Sequence, residues 1–166
     1  MIRFPAFATI LLLSLPAHAD LNGFVVGVHD GDSITLLTDD RRPVKIRAAD
    51  IDAPELGQPF GNAAKQAMSE LVYRKRVTIT GEHPDQYGRT VGRITVAGGT
   101  VANVEMVRQG MAWVYVRYNQ DRSLPAIEAQ ARAARRGLWA DPEPIEPWLW
   151  RRSHPLNMNQ PKSYER

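Results

Sequence analysis

The residues with chemical potential lie in two short acidic segments and in two arginine-bearing ones. Asp30-Gly31-Asp32 and Asp52-Ala53-Pro54-Glu55 each flank an apolar, strand-like run, so a closed barrel would bring both to one rim. Carboxylates with a backbone carbonyl are hard oxygen ligands, which select Ca²⁺ or Mg²⁺ over softer metals. Gathering several carboxylates without a cation costs mutual repulsion. Asp-Gly is also a favoured hairpin dipeptide, so spacing alone leaves plain turn chemistry open. Arg47 ends an apolar strand on the alternate face to Ile46, and Arg89 closes the loop Asp85-Gln86-Tyr87-Gly88-Arg89. Guanidinium groups match phosphate oxygens bidentately and keep their charge at neutral pH. Two of them beside a metal would stabilise the extra negative charge of a phosphoryl transition state. Taken singly, each is equally an ordinary solvated arginine on a barrel surface.

Weaker candidates surround these. Tyr87, Tyr115 and Tyr118 could stack on bases or bond a phosphate, and could as well be core or rim packing. His29 has no second histidine at ligand spacing and reads as a surface residue. The runs Arg132/Arg135/Arg136 and Arg151/Arg152 read as solvated faces, able to add non-specific attraction to nucleic acid.

The elements that must position these groups are short. Strand-like runs cover Phe24 to Val28, Ser33 to Leu37, Pro43 to Ala48, Val77 to Thr80 and Val91 to Val96. Ala63, Ala64, Ala67, Met68, Leu71 and Val72 recur at helical steps and predict an amphipathic helix. Val101 to Gln109 predicts a short helix ended by Gly110, and Trp113 to Tyr118 an aromatic, extended segment. Ser123 is placed to cap a last helix carrying the stripe Leu124, Ile127, Ala131, Ala134 and Leu138. The expectation is a mainly β, α+β domain: a five-stranded barrel with about three added helices.

Composition sets the limits. The 166 residues carry 21 Lys+Arg against 18 Asp+Glu, a mildly basic balance that permits a polyanionic partner without demonstrating one. The absence of cysteine excludes a thiol nucleophile, cysteine-ligated zinc and disulfides. Residues 1–19 read as a signal peptide: Arg3, an apolar run from Phe4 to Leu15, then Pro16 and Ala17-His18-Ala19 before the cleavage point. The run falls short of the roughly 20 residues of a spanning helix. The chain is thus expected to be exported, periplasmic or secreted. Residues 20–141 form the expected domain, and 142–166 a Pro/Trp/Arg-containing tail that packs through Trp148 and Trp150 and then frays.

Together these segments resemble the staphylococcal nuclease (thermonuclease) family. The likeness is carried in order by Val28-His29-Asp30-Gly31-Asp32-Ser33-Ile34, Ile46 to Glu55, Gly57-Gln58-Pro59-Phe60-Gly61, Asp85 to Arg89, Val107 to Ala112 and Gly137-Leu138-Trp139. The resemblance implies an OB-fold barrel and a Ca²⁺-dependent hydrolysis of DNA and RNA that leaves 3′-phosphate ends. It implies that Asp32, Asp52 and the Ala53 carbonyl hold Ca²⁺, with Asp30 acting through water. Glu55 would orient or deprotonate the attacking water, Arg47 and Arg89 would bind the scissile phosphate, and a tyrosine would face the substrate. Gln86 stands where the type member has lysine, which bears on terminal-phosphate binding and not on catalysis. The other reading is a catalytically silent nucleic-acid-binding barrel. Arg47, Asp52, Glu55 and Arg89 are all present, whereas a silent module should lack some of them. A monomer without a protein partner is the default expectation.

Overall fold

Alternation of apolar and polar side chains builds the sheet. The computed structural model describes residues 20–155; the expected signal peptide and residues 156–166 of the tail lie outside the described residues. Strands β1 (Leu21–Val28), β2 (Ser33–Thr38), β3 (Pro43–Ala48), β5 (Arg76–Pro84) and β6 (Thr90–Val96) close a barrel in the order β1-β2-β3-β6-β5. All pairings are antiparallel except β3 with β6. Val25, Ile34, Leu36, Ile46, Val77, Ile79 and Ile94 point inward and are completely or almost completely buried. Each such large aliphatic side chain contributes roughly 1.5–3 kcal/mol of burial. The five-stranded OB-type barrel expected from the sequence is the fold observed.

A second, two-stranded sheet was not expected. β4 (Ile51–Asp52) pairs antiparallel with β7 (Trp113–Val114), placing Asp52 opposite Trp113. The turn before β4 holds Asp50 at φ 68°, a left-handed conformation that aspartate tolerates better than most residues. The Asp50 carbonyl accepts the Tyr115 N–H at 2.8 Å, and its carboxylate accepts the Gln120 N–H at 2.7 Å. Buried Asn103 clamps the same turn from α2 (Ala102–Arg108), accepting the Ile94 N–H and donating to the Ala49 carbonyl.

The helices depart from the sequence pattern at their edges. In α1 (Gly61–Val72) the buried stripe is Gly61, Ala64, Ala67, Met68 and Val72, while Ala63 faces solvent. The last predicted helix is divided. α3 (Leu124–Ala133) stops before Arg135, which turns left-handed, and Leu138 is buried from a separate 3₁₀ turn, Gly137–Ala140. Ser123 makes no side-chain cap there; its hydroxyl bonds Asp121 instead. The extended segment after Trp113 ends at Val114 and becomes a turn at Val116 to Tyr118. The tail carries a further helix, α4 (Pro147–Ser153). Its Trp148 packs against the cluster of Trp113, Ala131, Leu138 and Trp139, whereas Trp150 stacks on His154.

Candidate active site

Glycine lets the two acidic segments meet. A Cβ on Gly31 would stand 2.6 Å from the Ala53 Cβ and 2.8 Å from the Ala64 Cβ, so the Asp30–Asp32 turn lies directly against Ala53 and α1. On Gly61 a Cβ would lie 1.9 Å from the Glu55 carbonyl oxygen, which lets α1 begin hard against the loop carrying Glu55. Asp32 Oδ2 then accepts the Ala53 N–H at 3.1 Å, joining the two segments by a hydrogen bond. Asp30 closes its own turn by accepting the Asp32 N–H at 2.9 Å.

Arg47 ties the carboxylates together. Its Nη2 lies 2.9 Å from Asp52 Oδ1 and 3.3 Å from Asp32 Oδ2. Its Nη1 donates to the Ala48 and Ile51 carbonyls at 3.2 and 3.1 Å, so the guanidinium also holds the β3–β4 turn. The neighbourhood is crowded with negative charge. Burial, then the Asp32 charge, pushes the Asp30 carboxyl up to about 6. Asp52 is raised by burial above all, and by Asp32, against the lowering effect of its arginine partners.

Arg89 approaches from the β5–β6 loop. The Asp85 carboxylate takes the Arg89 Nε at 2.8 Å and the backbone N–H groups of Tyr87 and Arg89, each at 2.9 Å. Burial works against ionisation of Asp85, but these three donors hold it below the usual carboxylate value. Arg89 Nη1 reaches the Ser33 hydroxyl at 3.4 Å, and that hydroxyl donates to Asp32 Oδ1 at 2.9 Å. A relay of hydrogen bonds therefore runs from Arg89 to Asp32. His29, Asp30, Ser33, Ile34, Lys45, Ile46 and Arg89 line a cavity of about 220 Å³ beside it, open to solvent.

Of the residues selected from the sequence, Asp30, Asp32, Arg47, Asp52, Ala53 and Glu55 come together at one end of the barrel, with Arg89 joined through Ser33. The tyrosines separate. Tyr115 lies under Arg47, whose guanidinium carbon is 5.7 Å from the ring centroid, and stacks on Trp148. Tyr118 meets Tyr115 edge-on and is largely exposed. Tyr87 is 75% exposed on its loop, with Arg89 over its ring.

Three contributors were not picked out as site residues from the sequence. Ser33 bridges Arg89 and Asp32, Asp85 anchors Arg89, and Arg151 from α4 enters the carboxylate cluster. The expectation that Arg151 is a solvated surface charge is corrected by its contacts: Nη2 lies 2.7 Å from Asp52 Oδ2, and Nη1 2.7 Å from Glu55 Oε1. A signal existed in Trp148 and Arg151, three apart directly after Pro147, a spacing that puts both on one side of a helix. Among the described residues, no three acidic or histidine side chains form a ready-made metal cage.

The family described as "Staphylococcal nuclease homologue" matches residues 45–141, from within β3 to just past the 3₁₀ turn. The chain is 43% identical over 162 residues to a protein of Shigella flexneri named "Micrococcal nuclease", covering 92% of each chain. It is 46% identical over 133 residues to an "Uncharacterized endonuclease" of Escherichia coli O157:H7, covering 80% of this chain and 86% of that one. A third relative, an "Uncharacterized endonuclease" of Haemophilus influenzae, is 43% identical over 134 residues, 81% of this chain and 75% of the relative.

Proposed function

Because the chain belongs to the staphylococcal nuclease family and is a nuclease, we propose that it hydrolyses DNA and RNA in a Ca²⁺-dependent reaction that leaves 3′-phosphate ends. The observation that carries the metal reading is the convergence of Asp32 and Asp52 on one nitrogen of Arg47. Two carboxylates that face one point, both almost buried, supply hard oxygen donors, and Asp30 and Glu55 beside them add negative charge, which suits a Ca²⁺ ion. Asp32, Asp52 and the Ala53 carbonyl would hold it directly and Asp30 through water. When bound, the ion supplies positive charge against the phosphate.

The chain's own groups supply the rest. Glu55, on the loop that follows β4, accepts the proton of the attacking water. The water oxygen bonds to phosphorus, the P–O5′ bond breaks, and a proton from solvent completes the 5′-hydroxyl. Arg47 and Arg89 hold the phosphate oxygens and stabilise the charge that builds up as the fifth oxygen adds. Tyr118, exposed at the edge of Tyr115, offers a face for a base, whereas the faces of Tyr115 are taken by Arg47 and Trp148. The apolar leader-like residues 1–19 support export as part of this reading.

The test is incubation of the purified protein with linear double-stranded and denatured DNA and with RNA, in Ca²⁺ and in excess EGTA, followed by end-group analysis. Degradation that needs Ca²⁺ and leaves 3′-phosphates is expected. Cleavage that persists in EGTA would remove the metal reading, and 5′-phosphate products would remove the assigned bond.

A further inference from the structure

Arg151 reaches the carboxylate cluster from outside the barrel. α4 follows the residues that match the family, and an aromatic anchor fixes it. Trp148 stacks on Tyr115 with centroids 5.4 Å apart and planes 9° from parallel, and meets Trp113 edge-on at 5.9 Å. One helical turn later, Arg151 places Nη2 2.7 Å from Asp52 Oδ2 and Nη1 3.2 Å from Asp52 Oδ1. The same Nη1 lies 2.7 Å from Glu55 Oε1. Asp52 is 1% exposed and Arg151 41% exposed, so the carboxylate is fixed and the guanidinium is the partner with room to leave.

We propose that Arg151 is a positioning residue that sets the charge balance of this site, opposing the divalent cation and favouring the phosphate. The inference rests on the reading of Asp32 and Asp52 as metal-holding groups. A cation approaching Asp52 meets a guanidinium already bonded to both carboxylate oxygens, and has to displace it or bind against its charge. A phosphodiester meets instead one more positive charge close to Arg47. A single side chain therefore acts on the two ligands with opposite signs. An arginine that only docked the tail would weaken both ligands together or neither.

The experiment compares the purified wild-type protein with Arg151→Gln and Arg151→Lys. Calorimetric titration with Ca²⁺ gives the metal Kd, and steady-state hydrolysis of single-stranded DNA at saturating Ca²⁺ gives KM and kcat. Arg151→Gln should bind Ca²⁺ about five- to tenfold more tightly while KM for DNA rises about five- to tenfold, the size of one charge at a few ångströms in a partly solvated site. Arg151→Lys keeps the charge and should return both constants toward wild type. A Ca²⁺ affinity that is unchanged or weaker in Arg151→Gln, or two constants that worsen together, overturns the proposal. Absence of Ca²⁺ uptake by both the wild-type protein and Arg151→Gln removes the metal reading and this inference with it. Wild-type binding beside an unchanged Arg151→Gln removes this inference alone.

Discussion

Arg47 and Arg89 carry the same charged group into the site, but the segments that hold them depend on it to different degrees. Arg47 lies in β3 with its side chain 13% exposed, and its donors go to Asp32, Asp52 and two backbone carbonyls of the β3–β4 turn. Arg89 is 27% exposed at the end of a loop, and its close partner, Asp85, belongs to that same loop. Its hydrogen bond across to β2, with Ser33, is long at 3.4 Å. The first guanidinium is therefore part of the fold's own wiring and balances two buried negative charges. The second is carried on a turn whose close bonds to it lie within the loop itself. An arginine in such a site can thus be held in place by the core or by a carboxylate of its own loop.

The largest effect should come from the first kind. Arg47→Ala leaves Asp32 and Asp52 with less compensation in a buried setting and frees the Ala48 and Ile51 carbonyls. Breaking a buried ion pair by removing one partner typically costs about 3–5 kcal/mol. Because Arg151 still covers Asp52, the low end, about 3 kcal/mol, is expected from urea denaturation in EGTA, together with loss of hydrolysis. Lost hydrolysis with unchanged stability would place Arg47 in the same class as Arg89 and dissolve the distinction.

Arg89→Ala should separate the two properties. Turnover should fall by about 10²–10³, the cost of removing one donor that stabilises transition-state charge. The urea midpoint should move by no more than a surface substitution does, within about 0.5 kcal/mol. Near-wild-type turnover in the folded variant would withdraw Arg89 from the mechanism.

The same division explains what could be read in advance. The barrel strands and the order of the acidic and arginine segments were legible because apolar alternation and turn chemistry are local properties. Ile34 and Leu36 against Ser33 and Thr35, or Ile46 against Lys45 and Arg47, declare a strand without outside information. The β4–β7 pair was not legible, since a two-residue strand has no period and depends on Asn103 and the Tyr115 and Gln120 amides holding the Asp50 turn from far along the chain. Helix α3 was over-extended because Ala134 and Leu138 continue the apolar spacing, while the left-handed Arg135 breaks the helix. Arg151 was missed for a similar reason. Its contact with Asp52 spans 99 positions, and nothing within the tail itself specifies what Trp148 will dock against.

The smallest effect tests whether Asp85 alone aims Arg89. The Tyr87 and Arg89 amides and the Arg89 Nε converge on this carboxylate and hold it below its ordinary value of 3.8, against the opposing effect of burial. A carboxyl whose folded value is depressed stabilises the folded loop fully above its ordinary value. That contribution is lost as the pH falls below about 3.8 and through the lower folded value. Hydrogen-exchange protection factors of the Tyr87 and Arg89 amides should therefore drop between pH 5 and pH 3. The Ile94 amide, bonded to the non-titrating Asn103, serves as the internal reference and should change less. In Asp85→Asn the two loop amides should start less protected at pH 5 and show little further change on acidification. If they instead follow Ile94 in the wild-type protein, the loop is held by the barrel after all, and Arg89 is as firmly built into the fold as Arg47.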